Sequence, residues 1–243
     1  MIAAFNAILY QPLLNALVFL YNTVAFGDFG VAIILLTVII RLILFPVFHK
    51  STRHQKQMQD LQPKLKKLQD QHKGDKAKQA EAMMALYKEH KISPFSGFLM
   101  LLIQIPILIA LYQVFSKSLS PDFLSSLYSF VPAPENISHS FLGLINLAEK
   151  NIIIVILAAA AQYFQAKMSL SKVQPGQNLT PVEKMGRNMV YLGPALTGFI
   201  LLSLPSALGL FWIVGSIFSI GQQIIINKES HAGELAKLPK QND

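Results

Sequence analysis

The chain has 243 residues, no cysteine and a formal net charge of +8, with 52% hydrophobic residues, only 14% charged ones and a mean hydropathy of +0.42. A soluble globular domain carries about 25% charged residues, so this composition excludes a water-surrounded globule and implies a surface covered mostly by lipid. Without cysteine there are no disulfides, no thiolate chemistry, no cysteine-held metals and no lipid anchor on a lipobox cysteine.

The opening MIAAFNAILYQP has no basic residue ahead of its apolar stretch and so lacks the charged leader of a secretory signal. Phe5, Ile8, Leu9, Leu13, Ala16, Leu17, Leu20 and Val24 recur at helical spacing, with Asn6, Asn15, Asn22 and Thr23 among them. This pattern predicts an amphipathic helix within 1–27 that lies on the membrane surface and does not cross it.

The first predicted span is 28–49. The second, 96–117, contains 20 uncharged residues at 97–116, matching the ~20 that a crossing helix needs. The third is 151–168. From 189 to 226 there are 38 residues without a charge, too many for one crossing of a core ~30 Å thick. Pro205, within Ser203-Leu204-Pro205-Ser206, disfavours a continuous helix. The stretch therefore divides into spans 188–204 and 206–226, which makes five.

The connections set the orientation. The polar segment 50–95 holds eleven Lys/Arg, the 169–187 connection and its flanks hold Lys167, Lys172, Lys184 and Arg187, and the tail 227–243 holds Lys228, Lys237 and Lys240. The 118–150 connection has only Lys150, with Lys117 at its edge. Basic segments stay in the cytoplasm, so the N-terminus is outside and the C-terminus inside.

Within 50–95, Met58, Leu61, Leu65 and Leu68 form one narrow apolar stripe, and Ala80, Met84 and Tyr87 repeat it. Lys73-Gly74-Asp75 is a turn signal, and Pro63 should kink or delay the first helix. The pattern predicts an antiparallel helical hairpin. Its basic surface, including Lys64, Lys66, Lys67, Lys73, Lys76 and Lys78, either anchors the protein near anionic lipid or docks a ribosome, a translocase or a nascent chain. Tyr87 is its only aromatic residue, so it offers no stacking platform for nucleic acid.

Arg41 is the one charged residue away from the ends of a span. Eight residues before His49, it would lie about 12 Å from the span's inner end in a straight helix. It either snorkels to the headgroups or faces a hydrated cavity with Gln104, Gln162, Gln165, Ser216, Ser219, Gln222 and Gln223. No carboxylate stands inside a span to pair with it. A fixed cation of this kind suits transient attraction of an acidic segment. There is no GxxxxGK[ST] loop, no nucleophile or metal-ligand constellation, and no intramembrane carboxylate for a proton relay. The chain thus reads as a non-enzyme without cofactors. A membrane-protein assembly scaffold and a small transporter or channel remain the alternatives.

The run QPKLKKLQDQHKGDKAKQAEAMMALYKEHKISPFSGFLMLLIQIPILIALYQVF at 62–115, TVIIRLILFPV around Arg41, and LPSALGLFWIVGSIFSIGQQ at 204–223 resemble the YidC/Oxa/Alb insertase family. The resemblance covers about residues 10–226, and 102–112 (LIQIPILIALY) is its most specific block. It implies ATP-independent insertion of client segments into the bacterial cytoplasmic membrane through a hydrophilic groove open to lipid. Arg41 is then the groove cation. Gln104, Gln162, Gln165, Trp212, Ser216 and Gln222 line the groove, and Pro46, Pro106 and Pro205 are structural. The implied partners are newly made membrane proteins and lipid, with the ribosome and the Sec translocon as docking candidates. Ala207, where the family often has Gly, and Phe211, where Tyr is usual, depart from the family's usual residues. The resemblance is to the short form, with no large extracytoplasmic domain ahead of the first span.

The fold class expected is therefore an all-α integral membrane protein of five spans, with a cytoplasmic hairpin and an N-terminal interfacial helix.

Overall fold

A computed structural model describes residues 2–93, 96–117, 126–170 and 181–235. Parts of the expected connections (94–95, 118–125 and 171–180) and the tail beyond 235, with Lys172, Lys237 and Lys240, lie outside the described residues.

The described chain is mostly helical. α1 (Ile2–Phe5), a π-helical turn (Asn6–Tyr10) and α2 (Gln11–Thr23) form one rod. Phe26 and Gly27 then take φ of 52° and 76° to reverse the chain, and Asp28 caps α3 (Phe29–Ile43) by accepting the Val31 N–H at 2.8 Å. α4 (Phe45–Asp60) follows after one residue, bent by 68° from α3, with Pro46 in its first turn. A proline there lacks no helical donor and enforces a fresh helix start. Within the expected span 28–49 the first apolar helix ends at Ile43, and α4 runs unbroken through position 49–50.

α5 (Gln62–Gln71) starts after Leu61, with Pro63 in its first turn. Gly74, at φ 101°, makes the turn, and Asp75 caps α6 (Lys76–Glu89). The Gln79 side chain donates to the Gln69 carbonyl at 3.2 Å, and Lys64 Nζ lies 3.1 Å from His90 Nε2. These pairings at both ends mean that α6 folds back along α5. Leu61, Leu65 and Ile92, with Met58, Met83, Leu86 and Tyr87 packed on them, form a small core of their own. Burial pushes the Tyr87 phenol above its ordinary value.

α7 (Ser96–Lys117) contains Pro106. A two-residue antiparallel pair, β1 (Ser140–Phe141) with β2 (Ile145–Asn146), interrupts the following segment. α8 (Ile152–Met168), α9 (Pro181–Leu201) and α10 (Ser206–Leu235) complete the fold, with Pro205 at the break before α10. α10 packs on α8 and α3, α9 packs on α8, α2 packs on α3, and α4 packs on α7. The main core gathers Leu14, Ile33, Leu111, Leu147, Ala158 and Leu208 from these elements. Where helices touch most closely, glycine is required. A Cβ on Gly209 of α10 would sit 2.5 Å from Ile154 Cγ2 of α8, and one on Gly30 of α3 would overlap the Phe141 ring of β1.

By length and composition two described helices, Ala3–Thr23 and Ser206–Glu229, are able to cross a membrane, or three if the bent pair α3 and α4 counts as one; Ile152–Met168 and the apolar part of α7, Leu102–Lys117, are shorter. The rod at 2–23 makes contacts that bear on its direction. Lys117, the last residue of α7, lies over the Tyr10 ring at 4.8 Å. Tyr21 meets Phe29, the first residue of α3, at 6.4 Å, and Phe29 meets Phe115 at 6.2 Å. Tyr10 and Tyr21 are about 16 Å apart along a helix, yet both meet the same end of the α3–α7 pair. The rod therefore lies across that end.

Its polar residues bind the segment before α8. Asn15 accepts from the Tyr128 N–H at 2.6 Å and donates to the Ser126 carbonyl, while Asn22 donates to the Pro132 carbonyl at 2.8 Å. The Tyr21 hydroxyl accepts from Ser138 N–H, and Asp28 accepts from Leu142 N–H. Asn15, buried at 3% exposure, does not face water.

Candidate functional site

Arg41 stands in the last turn of α3, where unpaired carbonyls give the helix end partial negative charge. The expected depth of about 12 Å along a straight span does not hold, because the helix ends two residues further on. One flank of the guanidinium packs on α10, where a Cβ on Gly215 would come within 2.6 Å of Nη2. On its other flank the Phe48 ring centroid is 5.0 Å from Cζ, a cation–π distance. No carboxylate pairs with Arg41 among the described residues. The half-buried cation is held by dipoles, a ring and bare backbone.

α10 presents two polar-bearing faces about 120° apart at 100° per residue. One carries Gly209, Trp212 and Gln223 towards α8. The Trp212 indole donates to Gln162 Oε1 at 2.9 Å, and Gln162 Nε2 lies 3.5 Å from where a Cβ would stand on Gly193 of α9. Gln162 thereby ties α8 to α10 and lies close to α9. Near the far end, Ser169 donates to Gln223 Oε1, and Gln223 donates to Asn227. The other face carries Gly215, Phe218, Gln222 and Glu229 towards α3 and α4, through Arg41, Phe45 and His49. Ser219, whose hydroxyl bonds back to the Gly215 carbonyl, falls between the faces.

Among the residues expected from sequence, the structure brings Arg41, Gln162, Trp212, Ser216 and Gln222 onto or against α10. Ser216 and Gln222 are buried, at 3% and 4% exposure. Gln104 does not join them by any hydrogen bond: it is half-buried on α7. Gln165 contributes its carbonyl to Ser169. Pro46 and Pro205 mark helix starts, and Pro106 lies within α7. The hairpin lysines are mainly solvent-facing. Lys73 and Lys78 pair with Asp70 and Asp75 of their own turns at 3.2 and 3.6 Å, contacts of little energetic weight. His49 and Glu229, 3.7 Å apart, escaped the sequence reading, because 180 positions separate them and nothing local to either signals the contact.

An α-helical membrane protein with an arginine seated between its helices, paired with no carboxylate among the described residues, is the class this arrangement defines. A family described as 60Kd inner membrane protein matches residues 19–233, and the chain belongs to that family. The membrane protein insertase YidC of Pelobacter propionicus is 34% identical over 223 residues, covering 91% of this chain and 39% of that protein. The insertase YidC of Geobacter sulfurreducens is 34% identical over 232 residues, covering 94% and 39%, and that of Syntrophus aciditrophicus 35% identical over 226 residues, covering 91% and 37%. The chain thus spans about two fifths of the length of these curated relatives. The family and the apolar helices place it in a bacterial inner membrane.

Proposed function

We propose that this protein is a membrane protein insertase that passes client segments into the bilayer along the α3–α8–α10 seam, without ATP and without covalent chemistry. The observation that carries the reading is Arg41, charged and seated on Gly215 with no carboxylate partner among the described residues. A cation held this way attracts an acidic client tail, and releases it because no buried counter-ion site is completed. Trp212, Gln162, Ser216 and Gln222 give a passing polar tail hydrogen-bonding alternatives along α10. The relatives named as insertases support the same reading.

In this account α3, α7, α8, α9 and α10 cross the membrane, and the α5–α6 pair stands in the cytoplasm with its lysines outward. The rod at 2–23 lies in the outer interface, a placement supported by Tyr10 and Tyr21 meeting one end of the bundle. The test is insertion of a single-span client with a short acidic tail into proteoliposomes holding only this protein, scored by protease protection. Protection above that of empty liposomes supports an insertase. Protection equal to empty liposomes from a folded protein points to an assembly scaffold instead.

A further inference from the structure

The α4–α10 contact carries a second group of polar atoms beyond Arg41. His49 Nε2 lies 3.7 Å from Glu229 Oε2. The other ring nitrogen, Nδ1, and the Gln222 amide nitrogen are both buried with no hydrogen-bond partner. Phe45 stacks on the His49 ring at 5.3 Å, and Phe218 meets Phe45 edge-on at 6.4 Å. Phe218, Gln222 and Glu229 fall at i, i+4 and i+11, one face of α10, so the orphaned amide lies between the two contacts. An unpaired buried polar atom is costly, and the Gln222 N–H, a donor in every state, marks a place built to receive an acceptor. Phe48, the neighbour of His49, carries Arg41 on its ring, so the seam adjoins the Arg41 seat.

We propose that His49 and Gln222 form a second carboxylate-binding position, at the α4–α10 mouth of the seam, and that Glu229 is its resident stand-in. An acidic side chain of a client displaces Glu229 there before meeting Arg41. This rests on the insertase reading. Glu229 is half-exposed and near the end of α10, so it is free to swing away, whereas the imidazole is fixed by Phe45. The charged groups around the ring are Glu229 from α10, Lys50 and Arg53 along α4 itself, and Arg41 of α3 on the neighbouring Phe48 ring; α7, which also packs on α4, has no acidic or basic side chain from Ser96 to Ser116. His49 Nε2 faces the position that the Glu229 carboxylate occupies, and Gln222 supplies an N–H.

The test uses the full chain in vesicles and a single-span client with two acidic residues in its tail and a photo-crosslinker beside them. A matched client has Asn and Gln in place of the acids. The readout is the ratio of crosslinking of the acidic client to that of the matched client. Glu229→Gln should raise this ratio about two- to fivefold, the range of a partly exposed ion pair, and His49→Phe, which keeps the stacking, should lower it. An unchanged or lower ratio in Glu229→Gln, a half-exposed change that leaves the core alone, overturns the proposal while Arg41-dependent crosslinking keeps the insertase reading. No crosslinking of either client to the wild type overturns both.

Discussion

The guanidinium of Arg41 rests on the bare backbone of Gly215, its Nη2 2.6 Å from the point a Cβ would occupy. Two helices distant in sequence thereby share one charge position, and the size of residue 215 controls where the cation sits.

Gly215→Ala should displace the guanidinium and leave the fold standing, because the group in the way is the far end of a flexible side chain. Thermal unfolding should shift by less than ~1 kcal/mol. Insertion of an acid-tailed client should fall by up to about tenfold, equivalent to ~1.4 kcal/mol. Insertion kinetics run beside an unfolding scan check both halves.

The other glycines sort by what they touch. Gly30→Ala drives a methyl into Phe141, whose Cβ as well as its ring is within 2.7 Å of the new atom, so it should cost about 1–3 kcal/mol. Gly186→Ala, on an exposed stretch of α9 with nothing within 4 Å, should gain up to about 1 kcal/mol from helix propensity. Paired unfolding scans in one detergent would show the opposite signs.

Asn15→Leu should loosen the segment beginning at Ser126 while leaving α2 helical. It removes the acceptor for Tyr128 N–H and the donor to the Ser126 carbonyl, at a cost of about 1–3 kcal/mol where buried groups lose partners. Amide hydrogen exchange at Tyr128 should speed up markedly, with exchange in α8 little changed.

That prediction also marks where sequence reading reached its limit. The breaks at Pro63, Gly74 and Pro205 were legible because each is local: a missing donor or a positive φ is a property of one residue. The bend at Leu44 was also signalled, by Pro46, but the hydrophobicity of 42–48 hid it, since an apolar run reads as one span whether or not it turns. Asn15 and Asn22 made segment 5–24 look water-facing, yet they bond to residues more than 100 positions away. Periodicity does not report tertiary partners. At the site, Arg41 stood out as a lone charge among apolar neighbours. Its seat on Gly215 did not, because a glycine in a span looks the same whether it faces lipid or a guanidinium.

Trp212 and Gln162 form the cross-link between α10 and α8. Trp212→Phe should cost about 0.5–1.5 kcal/mol and Gln162→Leu a similar amount, while the double variant should cost less than the sum, since the second change removes a group already orphaned. A double-mutant cycle on thermal unfolding measures this coupling. Additivity would mean that the bond contributes nothing.

The most direct test of the central claim replaces Arg41 with Ala and compares acid-tailed and acid-free single-span clients in proteoliposomes containing only this protein. A charge-assisted seam predicts that the acid-tailed client loses most of its insertion, while the acid-free client keeps most of its own. Equal loss for both clients would make Arg41 a packing residue, and no loss for either would contradict the account.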